Sequence, residues 1–221
     1  ADAKVYGRLK PLEIIPSLTN FMGDYLPALF PHDETAHKKT KKVFKEDFKY
    51  SVHIKNSDIL TRAFLPSVEI AKSSSVSGRY NSEMNDFYFD GNFPFFSFRK
   101  YKFNNCDIKA SSLDINLSIQ TFCQRLAFSD SVWIENISIA STAVNDTLNF
   151  KLNWHNNTVQ QYSGNIPGYL SFSEKPKVKL KFLPSVITIA DSSWTIDAGN
   201  VLVIDSSFIG VKNLAFISGT Q

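Results

Sequence analysis

The chain has 221 residues, enough for one sizeable hydrophobic core, and its 43% apolar and 20% charged residues exclude a disordered protein. Its net charge of +3 is small and its Lys and Arg residues are spread along the sequence, which argues against a nucleic-acid-binding protein. The apolar residues include 19 Phe and 8 Tyr against 2 Met. Because aromatic residues suit a half-buried pleated surface, this composition predicts a protein rich in β-sheet.

The N-terminal region, residues 1–30, is predicted to form a short strand and one amphipathic helix. Apolar residues between positions 14 and 30 recur at steps of three and four, which places them on one face of a helix. Pro16 fits a first helical turn, whereas Pro27 should end or kink the helix about one residue earlier. We expect this helix to cap the sheet, with a gating or membrane-contacting helix as the alternative. The residues assigned to the cap are Leu18, Phe21, Met22 and Tyr25.

Residues 31–47 form a separate, charged segment that includes four lysines between positions 38 and 42. Runs of charge usually lie in solvated chain, so we predict a mobile loop here. A basic contact for anionic lipid headgroups is the alternative interpretation. His32, Asp33 and His37 are too few to predict a metal site, because further ligands and a rigid element are lacking.

From residue 48 to residue 221 the hydrophobic pattern changes to a period of two. Successive side chains of a strand point to opposite faces, so each such strand has one apolar and one polar side. This pattern excludes a parallel sheet buried on both faces and favours antiparallel strands joined by short turns. The residues predicted to line the apolar side are Tyr50, Val52, Ile54, Leu113, Ile115, Leu117, Ile119, Leu148, Phe150, Leu152, Trp154, Leu180 and Phe182.

The same region contains an internal repetition. The five residues 64–68 recur without change as residues 182–186, and a similar Ile-Ala-x-Ser-Ser stretch follows each copy. Such repetition is typical of a structure that grows by adding similar units. The sequence therefore predicts an extended, repetitive sheet.

The two cysteines give a weaker prediction. A hairpin that turns near Ser111 would place Cys106 closer to Leu117 than to Cys123. This geometry favours two free, buried thiols over a disulfide.

The sequence offers little material for catalysis. It contains no Gly-rich phosphate loop, no Cys-x-x-Cys and no His-Glu-x-x-His. His53 and His155 have no evident nucleophile beside them in the sequence. We therefore predict a protein that is not an enzyme, with no catalytic, metal-binding or cofactor-binding residues.

Short runs of residues nevertheless resemble a known family. Residues 75–83 read Ser-Val-Ser-Gly-Arg-Tyr-Asn-Ser-Glu, and residues 145–150 read Asn-Asp-Thr-Leu-Asn-Phe. Residues 162–166 read Tyr-Ser-Gly-Asn-Ile, and residues 191–194 read Asp-Ser-Ser-Trp. Over roughly residues 60–217 the chain is similar to the TamB proteins of Bacteroidetes-type bacteria, which belong to the TamB/AsmA group.

The resemblance implies an all-β fold, an elongated and curved antiparallel sheet (a β-taco) with an apolar interior. It also implies a place in the periplasm of a Gram-negative bacterium and a role in phospholipid movement between the two membranes and in outer-membrane protein assembly. The implied partners are phospholipid acyl chains and an outer-membrane assembly factor of the barrel type, with membrane contact through parts outside this chain.

Two expectations accompany this interpretation. The chain opens directly with strand-like residues and shows no signal-peptide pattern, so we expect a fragment of a longer protein. A sheet with one apolar side can also pack on a second sheet or close on itself. The alternative prediction is therefore a closed β-sandwich that serves as a surface binding module, either an adhesin or a glycan binder.

Overall fold

The sheet that the alternating pattern predicts is present in the computed structural model of the chain. The structure describes residues 2–31, 45–56, 61, 67–113, 115–157, 162–174, 177–190, 192–205 and 207–218. Over these ranges sixteen strands pair antiparallel in one open sheet, and a single short α-helix lies near the N-terminus. This arrangement confirms the predicted fold class and is consistent with a curved sheet. The alternative of a closed sandwich is wrong.

From β3 onward the elements follow one another with short connections. In chain order they are β1 (Asp2–Arg8), a 3-10 turn (Pro11–Glu13), α1 (Ile14–Gly23), β2 (Asp47–Ile54), β3 (Val68–Ile70), β4 (Ser74–Asn81), β5 (Asp86–Phe98), β6 (Tyr101–Leu113), β7 (Asn116–Ala127), β8 (Trp133–Val144), β9 (Thr147–His155), β10 (Ser163–Glu174), β11 (Lys177–Phe182), β12 (Ser185–Ile189), β13 (Ser192–Ile196), β14 (Val201–Ile204), β15 (Ile209–Lys212) and β16 (Phe216–Ser218).

The sheet order follows the chain order almost throughout. From β1 the neighbours are β2, β4, β5, β6, β7, β8, β9 and β10. Beyond β10 the sheet forks, because one half of β10 pairs with β11 and the other half with β12. One branch continues through β14 to β15, and the other through β13 to β16.

The fork arises because each outer strand is interrupted once. Pro184 separates β11 from β12, and a proline cannot donate the ladder hydrogen bond that an unbroken strand needs. Between β13 and β14 the buried Asn200 replaces the missing backbone pairing. Its side-chain oxygen accepts the Phe182 N–H at 2.9 Å, and its side-chain nitrogen donates to the Phe182 carbonyl at 3.0 Å.

The helix packs over one end of the sheet. Phe21, Tyr25 and Leu26 are buried against apolar side chains contributed by strands from β2 to β10. The Ser17 hydroxyl lies 2.8 Å from the Tyr80 hydroxyl, and both side chains are buried. The predicted capping residues Leu18, Phe21, Met22 and Tyr25 all belong to this cluster.

Helix α1 is shorter than the sequence pattern predicts. It ends at Gly23, although the apolar spacing continues to residue 30. Glycine disfavours a helical interior, and the residue before Pro27 is also biased away from helical geometry. Tyr25 and Leu26 still reach the cluster because the chain continues in hydrogen-bonded turns, with the Leu26 N–H donating to the Met22 carbonyl.

The cysteine prediction is wrong, because Cys106 and Cys123 form a disulfide. Strands β6 and β7 are longer than expected, and the chain reverses between Leu113 and Asn116 rather than near Ser111. This shift in the turn places Cys106 directly opposite Cys123, with 4.1 Å between their Cα atoms. Both side chains are buried on the sheet.

The two copies of the repeated five-residue sequence lie in different structural settings. Of the first copy, residues 64–66 lie outside the described ranges, and Val68 belongs to β3, which continues along the same neighbour as β4. Val186 of the second copy belongs to β12, which reverses into β13. The predicted charged loop, residues 31–47, lies mostly outside the described ranges, and Asp47 already opens β2.

Candidate functional site

The candidate functional site is one face of the sheet, here called the apolar face. It is defined by three rows of directly paired residues that cross the strands. The first row runs Phe48, Tyr80, Phe87, then Leu117, Ala143, Leu148, Leu170, Leu180, Leu202 and Val211. The second runs Tyr50, Gly78, Phe89, Ala110, Ile119, Ser141, Phe150, Gly168 and Phe182. The third runs Val52, Val76, Gly91, Ile108, Thr121, Ile139, Leu152 and Ile166.

Large and small side chains alternate along the second row, and the aromatic rings cover their glycine neighbours. A Cβ atom added at Gly78 would lie 2.6 Å from the Tyr50 hydroxyl oxygen, and one added at Gly168 would lie 2.6 Å from Phe150 Cζ. Both values are below van der Waals contact. The rings of Tyr50 and Phe150 therefore lie across the neighbouring strand instead of standing upright, which gives this part of the face a low relief.

A second apolar cluster surrounds the disulfide, away from α1. Cys106, Cys123 and Ile137 form its buried centre. Partly buried residues pack around this centre: Phe93, Phe96, Phe103, Leu126, Ile134, Leu152 and Trp154. The rings of Phe96 and Phe103 stack with 4.4 Å between centroids. Among the described elements, neither α1 nor the following residues up to 31 belong to this cluster, so its strand ends lack the helical cover.

The apolar face stays continuous here because four neighbouring strands each carry an irregularity at the same level. In each strand the apolar cluster uses two residues three positions apart, where an unbroken strand uses two or four. The pairs are Phe93 and Phe96, Cys106 and Phe103, Cys123 and Leu126, and Ile137 and Ile134. Asn105 and Asn136 adopt positive φ values of 47° at this level. The pairing register between neighbouring strands does not shift across this level, because each strand carries the extra residue. We call this line across β5–β8 the bulge column.

The structure brings most of the predicted lining residues onto the apolar face. By their pairing, eleven of the thirteen lie there: Tyr50, Val52, Ile54, Leu117, Ile119, Leu148, Phe150, Leu152, Trp154, Leu180 and Phe182. Ile115 does not, because it lies in the β6–β7 turn and is 73% exposed. Leu113 ends β6 opposite Asn116, and its side chain lies outside what the structure describes.

Sequence analysis missed the aromatic residues of β5 and β6. Phe87, Phe89 and Phe93 alternate regularly, and this signal was available in the sequence. Beyond Pro94 the alternation fails, because the bulge column shifts Phe96 and Phe103 by one position. A search for a period of two therefore cannot assign the residues before and after such a shift to the same face of the sheet.

Burial also affects ionisation on this face. Desolvation raises the pKa of Tyr25, Tyr50 and Tyr80, because burial disfavours the charged phenolate.

No described helix has the length and hydropathy needed to cross a bilayer. Among the residues that the structure describes, no three side chains of His, Cys, Asp or Glu are grouped to hold a metal ion. Comparisons with protein-family models, with curated proteins and with solved structures found no match for the chain.

Proposed function

We propose that the apolar face binds the acyl chains of phospholipids and that the chain is a segment of a conduit for lipids between the two membranes of a Gram-negative envelope. The carrying observation is the single open sheet, whose apolar residues share one face while α1 covers only one end of it. A second sheet packed over this face would leave no room for lipid. The described strands all belong to the one sheet.

Energetics favours such a role for an uncovered apolar face. Transfer of an acyl chain into water costs about 0.8 kcal/mol per CH₂ group, so two chains approach roughly 20 kcal/mol. A continuous apolar surface removes most of this barrier and leaves the charged headgroup in water. The three rows and the disulfide cluster provide a surface of this kind across successive strands.

The large solvent-accessible surface of the protein also supports lipid binding. Its accessible surface is 14286 Å², against about 10,000 Å² for a compact monomer of this mass. Apolar residues near the last edges contribute to this excess, since Ile209, Val211 and Phe216 are 70%, 58% and 52% exposed. Exposed apolar side chains grouped at a sheet edge are typical of surfaces that contact lipid or another protein.

The polar side of the same strands complements the apolar face. Lys49, Lys109, Lys151 and Lys179 alternate with the lining residues and therefore point away from the apolar face. Strands of this kind expose a polar face to water while the apolar face binds the acyl chains. The apolar face is closed at the end of the sheet that α1 covers, because Phe21 and Tyr25 fill the space above several strands there.

The resemblance to TamB/AsmA proteins supplies the finer parts of the proposal. These are the periplasmic location, the movement of phospholipid between the inner and outer membranes, and an outer-membrane assembly factor of the barrel type as partner. The structural support for these finer parts is the open shape of the sheet alone.

The decisive experiment compares the two faces of β9. A photocrosslinking amino acid is placed at Phe150 on the apolar face, and at the adjacent Lys151 on the polar face as the matched control. In cells that synthesise the protein in the envelope, we expect crosslinks to phospholipid from position 150 and none from position 151. Native mass spectrometry of the purified protein should show bound phospholipid. Equal crosslinking from both positions, or lipid-free protein without crosslinks, would overturn the proposal.

A further inference from the structure

The bulge column also produces a feature on the opposite, polar face of the sheet. Where a strand bulges, two consecutive residues point to the same side. In β6, β7 and β8 these pairs are Asn104 and Asn105, Gln124 and Arg125, and Glu135 and Asn136. Three strands therefore present six polar side chains at one level, where regular strands would present three.

Five of these side chains, those of Asn104, Gln124, Arg125, Glu135 and Asn136, line a depression together with Asn157, and its volume is about 570 Å³. The volume lies within the usual range for small-molecule sites. Carboxamides predominate, with one guanidinium and one carboxylate whose charges balance. The lining is therefore rich in both hydrogen-bond donors and acceptors and has no net charge.

The site has a fixed frame. The Asn156 side chain accepts the Glu135 N–H at 2.8 Å and donates to the Trp133 carbonyl at 3.2 Å, which holds the segment after β9 against β8. The Asn157 N–H donates to Glu135 Oε2 at 3.2 Å. The Asn136 amide donates to the His155 carbonyl at 2.9 Å. These bonds set the positions of the lining groups before any ligand arrives.

Several lining groups keep unused hydrogen-bonding capacity. Arg125 stacks over the Trp133 ring at 4.2 Å and forms no ion pair with any described residue, although Glu135 lies directly opposite it. The half-buried Asn104 amide makes no side-chain hydrogen bond within the described ranges. Asn136 adopts a positive φ of 47°, a conformation that asparagine tolerates better than most other residues.

We propose that this depression is a binding site for a short, uncharged saccharide. Adjacent hydroxyl groups of a sugar ring both donate and accept, which matches closely spaced carboxamides beside a guanidinium and a carboxylate. A phosphate or carboxylate ligand fits less well, since Glu135 would repel it. This inference is independent of lipid binding, because the depression lies on the other face of the sheet.

The test titrates the purified protein with maltotriose, cellotriose and N,N′-diacetylchitobiose, by calorimetry and by Trp fluorescence. We expect at least one of these sugars to bind and to change the emission of Trp133, with the change lost in Trp133→Phe. Asn104→Ala should weaken binding by roughly tenfold or more. Asn136→Gly should do the same, because glycine retains the positive φ while the amide is removed.

The matched control is Asn149→Ala. Asn149 is an exposed amide on the polar face of β9, outside the depression, and its loss should leave sugar affinity unchanged. Thermal unfolding of each variant shows whether the fold is retained. The inference is overturned if none of the three sugars binds, or if Asn104→Ala and Asn136→Gly both fold and bind as tightly as the original protein.

Discussion

The indole ring of Trp154 on β9 occupies the space that a Cβ atom of Gly164 on β10 would need. The two residues are direct partners in the antiparallel ladder. The same relationship joins Tyr50 to Gly78 and Phe150 to Gly168. The Trp154 ring therefore requires glycine at position 164, whereas a backbone carbonyl oxygen lies as close as the ring at Gly168 and closer than the ring at Gly78. In each pair the aromatic ring shields backbone that a glycine leaves exposed.

The first prediction concerns this packing. Gly164→Ala should destabilise the protein by about 1–3 kcal/mol, because the new methyl group forces Trp154 out of its position. Urea denaturation gives the free energy of unfolding, and near-ultraviolet circular dichroism reports the displaced indole. Gly199→Ala is the control, since the nearest atom to an added Cβ there is 3.4 Å away. Equal stability of the two variants would contradict the packing described for Trp154.

The second prediction concerns the disulfide. The double substitution Cys106→Ala with Cys123→Ala should lower the free energy of unfolding by about 3 kcal/mol, the value expected for a closed loop of this size. The two cysteines are 17 residues apart in sequence. Chemical denaturation of the oxidised protein, the reduced protein and the variant provides the comparison. Alkylation of two thiols in unreduced, denatured protein would show that the bond is absent.

The third prediction concerns pH. Burial raises the pKa of Tyr80, so the folded state keeps its phenolic proton at pH values where the unfolded chain has lost it. The stability contributed by the neutral phenol is complete below about pH 10 and is lost as the pH rises through the folded-state pKa. Unfolding in urea at about pH 8 and about pH 11 should show this loss.

Tyr80→Phe is the matching variant. It should lose about 1 kcal/mol at neutral pH, because the buried Ser17 hydroxyl loses its partner at 2.8 Å. Its stability should then fall less between neutral and alkaline pH than that of the original protein. An identical alkaline loss in both proteins would assign the effect to other groups.

The fourth prediction concerns the attachment to the sheet of the turns that follow α1. Asp146 Oδ1 accepts the Ala28 N–H at 2.5 Å, and the Asp146 N–H donates to the Tyr25 carbonyl at 3.1 Å. Asp146→Ala should destabilise by about 2 kcal/mol, because it removes an acceptor and places alanine at a φ of 58°.

Asp146→Gly separates these two causes. Glycine adopts the positive φ without strain, so this variant should be about 1 kcal/mol more stable than Asp146→Ala while still lacking the acceptor. Amide hydrogen exchange in residues 14–30 should quicken in both variants. An unchanged rate of amide exchange there would mean that Asp146 does not anchor the N-terminal segment to the sheet.

The sequence predicted the fold class well because alternation is a local signal that every strand repeats. The period of two in residues 148–154 was enough to assign Leu148, Phe150 and Leu152 to one face, since no turn or bulge interrupts β9. The register between strands was less accessible. It depends on where a hairpin turns, and β6 and β7 reverse between Leu113 and Asn116, beyond the expected position.

That single displacement accounts for two of the errors. It brought Cys106 opposite Cys123, and it placed Ile115 in a turn, where the alternation that begins at Leu113 has no structural meaning. The polar depression was inaccessible for a different reason. Asn104, Arg125 and Asn136 come from three strands, and only the coordinated bulges bring them to one level.

The bulge column has a consequence for how this sheet can change in evolution. Deleting one residue such as Gln124 from β7 alone would leave a single outward residue, Arg125, between Cys123 and Leu126. The pairing of β7 with β6 and β8 would then slip by one residue beyond that point, so Arg125 would lose its ladder partners Asn104 and Glu135. Strands β5–β8 must therefore keep matching lengths. Insertions and deletions are acceptable in the hairpin turns, but where the bulge column crosses the sheet they must occur together in all four strands.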